Sequence, residues 1–318
     1  MIKDPKTFHK CLITAPRPTD YFMGDGHIVF SAVLASGDWS KYFHFNEHQK
    51  ELGFDCDGCV CFSCQKIFDA QVDYLIQSGQ IQRSVISNFT ALGFMDAVNS
   101  DDKLSHFHSS PRWLQSMTGN GYNGNPLYAP WDILRKQGTL PWVDCPFDPS
   151  VNASDYLIKP TQAQLDKAKS LIPLLSTGYH WIVDNGSLKG TPISQMKKAL
   201  QQSPLQIGIN CGDNWNSVNP TPTADLSPEH SVSVEKVTTV SVIDDQYEPF
   251  IKDLPFSWNI GYILQAIVSP VPQAPAPLET LQPVSTPVTP EEKMSLIQQL
   301  GVIAQQLINW ITNNPKGR

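Results

Sequence analysis

The sequence predicts an α+β fold, because helical patterns dominate the chain up to about residue 200 and strand patterns follow them. The clearest helix begins near Cys59, where apolar residues recur every three or four positions as far as Leu75. That interval is the period of one buried helical face. Apolar and polar residues alternate over 206–210, 232–234 and 240–243, which predicts half-buried antiparallel strands.

The other predicted elements complete this order along the chain. Residues 27–34 have the pattern of a strand and precede the Cys59 helix. From about residue 110 to 200 the pattern indicates loops and helices. One helix there ends at Gln137, because Gly138 follows its last basic residues as a left-handed cap does. Residues 193–200 are predicted to form another short helix.

The composition is that of a globular chain. Its 318 residues are 41% hydrophobic and 17% charged, which is enough to bury the core of one large domain or two small ones. The net charge of -7 argues against a nucleic-acid binder, since neutralising phosphates requires clustered Lys and Arg. The polar N-terminus and the lack of about 18 uninterrupted apolar residues predict neither a secretion signal nor a transmembrane segment, so we expect a soluble protein.

A change in composition predicts the domain boundaries. The first domain is expected to span residues 1–268. Prolines then recur throughout 269–289, which predicts an extended, semi-rigid linker. A helix over 290–314 should follow, because Thr289-Pro290-Glu291-Glu292 supplies an N-cap, a proline at the first helical position and a capping-box acid.

The 290–314 helix carries a coiled-coil-like seam. Its apolar residues alternate at four- and three-residue steps, at Leu296, Leu300, Ile303, Leu307 and Trp310. The glutamines between them would be costly in hydrocarbon, which argues against insertion into a membrane. Three roles stay open for this helix: packing on its own domain, self-association or docking to a larger assembly, and attachment to a membrane surface.

Seven cysteines raise the question of a metal site. Their odd number and the length of the chain argue against a small disulfide-stapled fold, so most thiols are expected to be reduced. Four of them form Cys56-x-x-Cys59-x-Cys61-x-x-Cys64, a spacing that can hold zinc or an iron–sulfur cluster. Tetrahedral sites usually draw ligand pairs from separated loops, whereas Cys61 and Cys64 fall inside the helical pattern. We therefore favour no metal and no other cofactor, and a four-cysteine metal site is the alternative.

Cys59, His230 and Asp245 are the candidate catalytic residues. A catalytic thiol must be held as thiolate near neutral pH, and a helix N-terminus next to a histidine achieves this. Cys59 stands at such a helix start, after the cap-type residues 55–58. His230 would act as the base, with its ring oriented by Asp245. The strand segments between these two residues predict a hairpin that brings them together, whereas Asp244 would point to the opposite face.

Several separate patches, all in the right order, resemble the papain-like cysteine proteases over roughly residues 45–265. Residues 59–63 resemble that family's Cys-Trp-Ala-Phe-Ser, and residues 193–207 resemble the helix and strand that precede its histidine. Glu229-His230-Ser231-Val232 is similar to its Asp-His-Ala-Val. The resemblance is closest to divergent members encoded by bacteriophages and bacteria. It implies a papain-like fold with an N-terminal helical half and a C-terminal antiparallel strand-rich half.

The same resemblance implies roles for further residues. Asn123-Gly124-Asn125 is similar to the family's Asn-Gly-Gly segment, whose backbone pairs with an extended substrate, so these three residues would bind substrate. Asp245-Gln246-Tyr247 is similar to its Asn-Ser-Trp. Tyr247 would therefore line the substrate site and shield the hydrogen bond between histidine and aspartate from water.

The oxyanion hole departs from the family pattern. Gly53 stands six residues before Cys59, where the family has its oxyanion-hole glutamine. Gln49 is the candidate replacement, provided that the loop before the helix is four residues longer. An amide donor in such a hole typically contributes about a hundredfold to a thousandfold in rate.

Two further departures concern the nucleophile. Reading Cys61-Phe62-Ser63-Cys64 as the family's Cys-Gly-Ser-Cys would make Cys64 the nucleophile. That register puts Phe62 where small residues let the loop turn, so Cys59 is favoured. The interval from Cys59 to His230 also exceeds the roughly 130 to 150 residues typical of the family, which implies an insertion.

The sequence therefore predicts a cysteine endopeptidase that hydrolyses protein or peptide substrates through a Cys-His-Asp triad and an acyl-enzyme intermediate. Two alternatives stay open. One is a catalytically degenerate papain fold that serves as a structural or attachment subunit, for example of a phage particle. The other is an endopeptidase that cuts peptidoglycan cross-links. The location of the protein stays open between the cytoplasm and a virion.

Overall fold

The computed structural model describes residues 11, 34–47, 49, 53–97, 100, 102–148, 150–183, 193–211, 214–222, 229–258 and 260–272. The chain divides into two units, Met1–Pro272 and Gln273–Arg318. The second unit, which holds the predicted 290–314 helix and most of the predicted linker, lies outside the described residues. Most of the predicted 27–34 strand lies outside them as well.

Helices form the N-terminal half of the first unit. They are α1 (Cys59–Gln77), α2 (Arg83–Leu92), α3 (Pro111–Thr118), α4 (Ala129–Gln137), α5 (Gln162–Lys169) and α6 (Ile193–Leu200), with 3-10 turns at Ser40–Tyr42 and Trp142–Asp144. Helix α1 begins at Cys59, as the periodicity predicted, and every residue from Cys59 to Leu75 is buried. Burial therefore extends well beyond the predicted single face, because α1 contacts strands on one side and α3 and α4 on another. In the described part of the chain, no helix has the length and apolarity needed to cross a membrane.

The polar residues of α1 are buried because each meets a polar partner. The Asp69 carboxylate accepts the Ser109 hydroxyl at 2.7 Å, and the Asp73 carboxylate accepts the Phe107 backbone N–H at 3.0 Å. Such pairing removes most of the cost of burying a polar group. A search for one apolar stripe cannot detect these contacts, since the partners are distant in sequence.

Gly138 ends α4, but not in the predicted left-handed conformation. Its φ of 72° is positive, whereas its ψ of -163° lies outside the left-handed helical region. A Cβ atom at this position would come within 1.9 Å of the Ala168 carbonyl oxygen on α5. Glycine is needed here because the two helices approach each other closely and because φ is positive.

A six-stranded antiparallel sheet forms the C-terminal half, in the order β3-β8-β4-β5-β6-β7. Its strands are β3 (Leu175–Val183), β4 (Leu205–Ile209), β5 (His230–Val237), β6 (Ser241–Asp244), β7 (Ile251–Leu254) and β8 (Ile260–Pro270), and a separate small pair joins β1 (Met95–Asp96) to β2 (His106–Phe107). Strands β4, β5 and β6 match the three segments with predicted alternation. Strands β5 and β6 form the predicted hairpin, in which Ser233 lies opposite Asp244.

Strand β3 corrects the expectation of loops and helices as far as residue 200. It pairs with β8 along its length, from Leu175 opposite Pro270 to Val183 opposite Ile263. The strand signal is present in the sequence, because aromatic and β-branched residues stand at alternate positions from Thr177 to Val183. Strand β8 also continues to Pro270, two residues beyond the predicted domain end at Val268.

A polar network fixes the first turn of α1 against the sheet. The Gln206 side-chain amide on β4 donates to the Val60 carbonyl at 2.9 Å and to the Ser63 hydroxyl at 2.8 Å. The Ser63 hydroxyl also lies 2.7 Å from the Ser231 hydroxyl on β5. The N-terminus of α1 is thereby held beside the first residues of β5.

Candidate active site

Cys59 is the first residue of α1, directly after the N-cap Gly58. Only 2% of its surface is exposed. Burial raises the pKa of the thiol well above its ordinary value, and the backbone N–H of Ser231 opposes that shift. The thiol therefore needs a nearby base in order to lose its proton.

His230 and Asp245 form a buried hydrogen-bonded pair. His230 Nε2 lies 2.8 Å from Asp245 Oδ1, and 2% of the His230 surface is exposed. Burial raises the pKa of Asp245, but His230 and Lys252 outweigh burial and hold it below its ordinary value. The contact with Asp245 uses Nε2, and Nδ1 is the other nitrogen of the ring. His230 also directly precedes Ser231, whose backbone N–H contacts the Cys59 thiol.

Two aromatic rings flank His230. Tyr247, the predicted shield, has its ring centroid 5.5 Å from the imidazole centroid. Trp215 lies at the same distance with its ring plane at 87° to the imidazole, and it packs against Trp258 at 5.8 Å. Trp215 was not predicted from the sequence, because a single tryptophan in a loop does not indicate which residues it will pack against. Both rings pack against the imidazole, and His230 is buried.

Lys252 is the second residue that sequence reasoning missed. It is fully buried on β7, and its Nζ lies 2.8 Å from Asp245 Oδ2. The available signal was the alternation in Ile251-Lys252-Asp253-Leu254, which places Lys252 on the same face as Leu254. A lysine on the apolar face of a strand predicts a buried acidic partner.

Gln49 lies within the site, with its amide already hydrogen-bonded. Its Nε2 donates to Asp55 Oδ1 at 2.6 Å, and its backbone N–H donates to the Gln246 carbonyl at 2.9 Å. The Tyr247 hydroxyl donates to the other carboxylate oxygen of Asp55 at 3.0 Å. Gln49 is therefore tied to the segment that carries Asp245. At Gly53, the position of the family's glutamine, a Cβ atom would meet nothing within 4 Å.

The predicted substrate segment 123–125 lies near the nucleophile helix. Asn125 is buried, and its side-chain Nδ2 lies 3.8 Å from Cys61 Sγ. Asn123 donates its backbone N–H to the Asn120 carbonyl at 3.1 Å, and Gly124 has a φ of 75°, so these residues form a turn before Asn125.

The backbone of Cys11 lies between Asn125 and the residue before His230. It forms a parallel bridge to Asn125, and its N–H donates to the Glu229 carbonyl at 3.3 Å. The Cys11 thiol is close enough to raise the pKa of Cys59. An extended backbone thus fits between Asn125 and Glu229, beside the candidate nucleophile.

The remaining sulfur and carboxylate candidates have other surroundings. Cys64 is fully buried in the large core, in the second turn of α1. Cys56 packs instead with Phe62 and neighbouring aromatic residues in a separate small cluster. Asp244, the last residue of β6, forms a buried ion pair with Lys66, whereas the Asp245 side chain contacts His230 and Lys252.

Among the described residues, His44, Asp73 and His106 form a second cluster. Each offers one atom that could bind a metal, and these atoms lie within 4.8 Å of one another. His106 Nδ1 and His44 Nε2 lie 3.4 Å and 3.7 Å from Asp73 Oδ2. The two imidazole rings stack with centroids 3.4 Å apart and planes at 10°. A metal binds an imidazole nitrogen in the ring plane, so one ion cannot lie in both planes unless a ring turns. Burial lowers the pKa of His106, but Asp73 and Asp102 outweigh burial, so the net shift is upward.

The chain is similar to known proteins in its structure. No protein-family profile matches the chain, and no curated protein sequence does. Xylellain, a cysteine protease from Xylella fastidiosa, matches with a TM-score of 0.53 at 12% identity, over 82% of this chain and 96% of that one. Bromelain from Ananas comosus matches with a TM-score of 0.45 at 12% identity, over 74% and 98%. The proform of the ragweed pollen cysteine protease Amb a 11 matches with a TM-score of 0.42 at 14% identity, over 75% and 66%.

The xylellain match bears on the fold and not on the chemistry. The xylellain match, together with the helices and the antiparallel sheet described above, confirms the predicted papain-like α+β fold. At 12% identity, a shared fold does not carry activity from one protein to another. The assignment of function therefore depends on the geometry of the site.

Proposed function

We propose that the protein is a papain-fold cysteine peptidase with Cys59 as nucleophile, His230 as base and then acid, and Asp245 as the group that orients the imidazole. The observation that carries the proposal is the buried 2.8 Å contact between His230 Nε2 and Asp245 Oδ1, formed where β5 meets the N-terminus of α1. This order of thiol, imidazole and carboxylate is the arrangement that nucleophilic catalysis requires.

In the proposed reaction, His230 Nδ1 first accepts the thiol proton to form a thiolate–imidazolium pair, and Cys59 Sγ then attacks the peptide carbonyl carbon. The imidazole then gives that proton to the leaving nitrogen, the C–N bond breaks, and a thioester remains on Cys59. Water attacks the thioester with His230 again as base, which releases the carboxylic acid and restores the thiol. Asp245 keeps the tautomer with the proton on Nε2, so Nδ1 is available for each transfer.

The oxyanion would form at the start of α1. The first backbone N–H groups of a helix lack partners within the helix, and they point toward its N-terminal end. Gln49 would supply a side-chain donor if its amide turned from Asp55 toward the substrate oxygen. The 2.6 Å contact between Gln49 and Asp55 holds that amide near the site in the meantime.

The substrate class that fits the site is an extended polypeptide. The Cys11 backbone contacts both Asn125 and Glu229, which supports a groove that accepts main-chain hydrogen bonds on two sides. Backbone pairing of this kind depends little on side-chain identity. Asn123, Gly124 and Tyr247 are proposed to line the same groove.

The experiment that tests this proposal is hydrolysis of a set of internally quenched peptides. We expect turnover that falls at least about a thousandfold in Cys59→Ala, because the nucleophile is lost. Cys64→Ala is the matched control, since it removes a buried thiol from the same helix. Equal activity in wild type and Cys59→Ala would contradict the proposal, as would a larger loss in Cys64→Ala.

A second candidate is a papain fold that no longer turns over substrate and acts as a structural or attachment subunit, for example of a phage particle. The engaged amide of Gln49 and the 2% exposure of Cys59 favour it. It predicts no Cys59-dependent hydrolysis of any peptide. Digestion of purified peptidoglycan with wild type and Cys59→Ala tests the related possibility of a cell-wall endopeptidase.

A further inference from the structure

The Lys252 ammonium group is enclosed on all sides. Its three N–H groups donate to Asp245 Oδ2 at 2.8 Å, to the Tyr247 carbonyl at 2.7 Å and to the Pro249 carbonyl. It also lies 5.4 Å from the centroid of the Trp215 ring. Lysine has three donors, so every one is satisfied in the charged state. Neither Lys252 nor Asp245 has any exposed side-chain surface.

The two oxygens of the Asp245 carboxylate have different partners. Oδ1 faces His230 Nε2 and accepts the Gln246 backbone N–H at 2.8 Å, whereas Oδ2 faces Lys252. Hydrogen bonds at both oxygens hold the carboxylate against rotation, so the direction of Oδ1 is fixed. The charge is balanced as well, because the ammonium cancels the carboxylate within the same buried space.

This balance matters for the proposed triad. With thiolate, imidazolium and carboxylate all ionised, the site carries a net charge of about one negative unit, which is costly in a buried environment. An amide in place of the carboxylate would leave the thiolate and imidazolium to balance each other. Lys252 restores that neutrality while the acid is retained.

We propose that Lys252 is a positioning residue, which fixes Asp245 Oδ1 toward His230 and neutralises its charge, so that the Asp245–Lys252 pair replaces a neutral orienting amide. This inference rests on the proposed function, since it concerns the same histidine. His230, Cys211 and Lys66 also face the Asp245–Lys252 pair, and the Lys66 Nζ donates to the Asp245 carbonyl at 3.0 Å. These three residues are left unchanged in all the variants below.

A double-mutant cycle tests the proposal. Lys252→Met leaves an uncompensated carboxylate, which favours the imidazolium, so the alkaline limb of the kcat/KM profile should move to higher pH. Asp245→Asn leaves an uncompensated ammonium and should move the same limb to lower pH. Each single variant should lose at least tenfold in kcat/KM. The double variant, Asp245→Asn with Lys252→Met, should recover at least tenfold over the worse single variant, because both charges are gone.

Additive losses in the double variant, or single variants with unmoved pH limbs, would overturn the proposal and leave Lys252 a structural residue. Lys252→Arg keeps the charge and should therefore shift the pH profile much less than Lys252→Met does. If Lys252→Met does not fold, the comparison of Asp245→Asn with the double variant still decides between the two outcomes.

A readout without turnover separates this proposal from the proposed function. The rate at which iodoacetamide alkylates Cys59 reports thiolate formation, and it can be followed against pH by peptide mass mapping in the same four full-length chains. The pH dependence of the alkylation rate should shift in opposite directions in the two single variants. In the double variant it should return to that of the wild type. If the alkylation profiles shift as expected but no chain hydrolyses peptides, only the proposed peptidase activity is contradicted. If the alkylation profiles do not shift, the proposed role of Lys252 is contradicted.

Discussion

At the residue scale, the candidate site consists of buried polar groups that satisfy one another. Asp245 is shared by His230 and Lys252, and Asp55 is shared by Gln49 and Tyr247. Buried polar groups are tolerable only when they are paired in this way. The arrangement fixes the direction of each side chain around Cys59, and it makes the function of each one open to a separate test.

Gln49→Ala should lower kcat for peptide hydrolysis by about a hundredfold to a thousandfold, because the variant lacks a side-chain donor to the oxyanion. The alkylation of Cys59 by iodoacetamide should change much less, since that reaction forms no oxyanion. Steady-state kinetics and alkylation rates measured on the same preparation separate the two effects.

Gln162→Ala is the control for this substitution, because Gln162 is an exposed glutamine on α5. It should leave both rates unchanged. A Gln49→Ala enzyme with the kcat of the wild type would remove Gln49 from the oxyanion hole, and the backbone N–H groups of α1 would be left as its donors.

The positions of the candidate site residues were predictable where a local pattern accompanied them. The start of α1 at Cys59 follows from the cap-type residues before it, and the approach of His230 to Asp245 follows from the β5–β6 hairpin. Lys252 and Trp215 were missed, because β7 and the loop after β4 bring them next to Asp245 and His230 only in the folded chain.

At the element scale, the first turn of α1 is attached to the sheet through Gln206. Its Oε1 accepts the Trp131 indole N–H at 2.8 Å, while its amide reaches the Val60 carbonyl at 2.9 Å and the Ser63 hydroxyl at 2.8 Å. One side chain on β4 therefore joins α1 to α4. The same side chain sets the distance between the Cys59 helix and β5.

Gln206→Leu should destabilise the fold by about 1 to 3 kcal/mol, because it leaves the buried Trp131 N–H and the Ser63 hydroxyl with fewer partners. Urea unfolding followed by tryptophan fluorescence measures the change. Gln201→Ala, on the exposed surface nearby, should change the free energy of unfolding by less than about 0.5 kcal/mol. Equal effects of the two substitutions would show that the network around Gln206 adds no stability.

Elements with strong local periodicity were predicted well, and elements defined by distant pairing were predicted poorly. Helix α1 and the β5–β6 hairpin carry their period within a few residues. Strand β3 was missed although its residues alternate, and its partner residues on β8 lie eighty or more positions away. No local pattern reports a partner at that separation.

At the scale of the whole unit, buried charge also occurs away from the candidate site. His108 is fully buried, with Nδ1 3.2 Å from Asp96 Oδ2 and Nε2 3.4 Å from Glu47 Oε1. Burial lowers the pKa of His108, but Asp96, Glu47 and Asp69 outweigh burial and raise it from 6.5 to about 9. The fold thus holds this histidine in its charged form.

The free energy of unfolding should therefore decline as the pH rises from 6.5 to about 9. Folded His108 keeps its proton up to about pH 9, whereas the unfolded residue releases it near 6.5, so the stabilisation is complete below 6.5 and is lost above it. His108→Gln should flatten this decline. Urea unfolding at several pH values between these limits measures the slope for both chains.

His180 provides a control of opposite sign for the pH experiment. Burial lowers its pKa, so its contribution to stability should increase as the pH rises toward 6.5 and should stay level above that pH. His180→Gln should therefore leave the decline between pH 6.5 and about 9 unchanged and should remove a rise in stability below 6.5. A His108→Gln chain with the pH dependence of the wild type would contradict the account of this cluster.

The α+β class and the order of its halves followed from the sequence of helical and strand patterns, and the structure confirms both. The sequence also showed that Gly53 occupies the position of the family's glutamine and that Gln49 could replace it. It did not show that the Gln49 amide would be hydrogen-bonded to Asp55, which also accepts the Tyr247 hydroxyl. Sequence spacing identifies candidates, and the fold decides which of them touch.

The central claim is that Cys59 is the activated thiol of this fold, and covalent labelling with an epoxysuccinyl peptide tests it most directly. The account predicts one adduct per folded chain, located on Cys59 by peptide mass mapping and formed much more slowly in His230→Ala. Labelling of Cys64 or another cysteine first would contradict the account, and so would labelling of Cys59 at equal rates in the folded and the urea-unfolded chain.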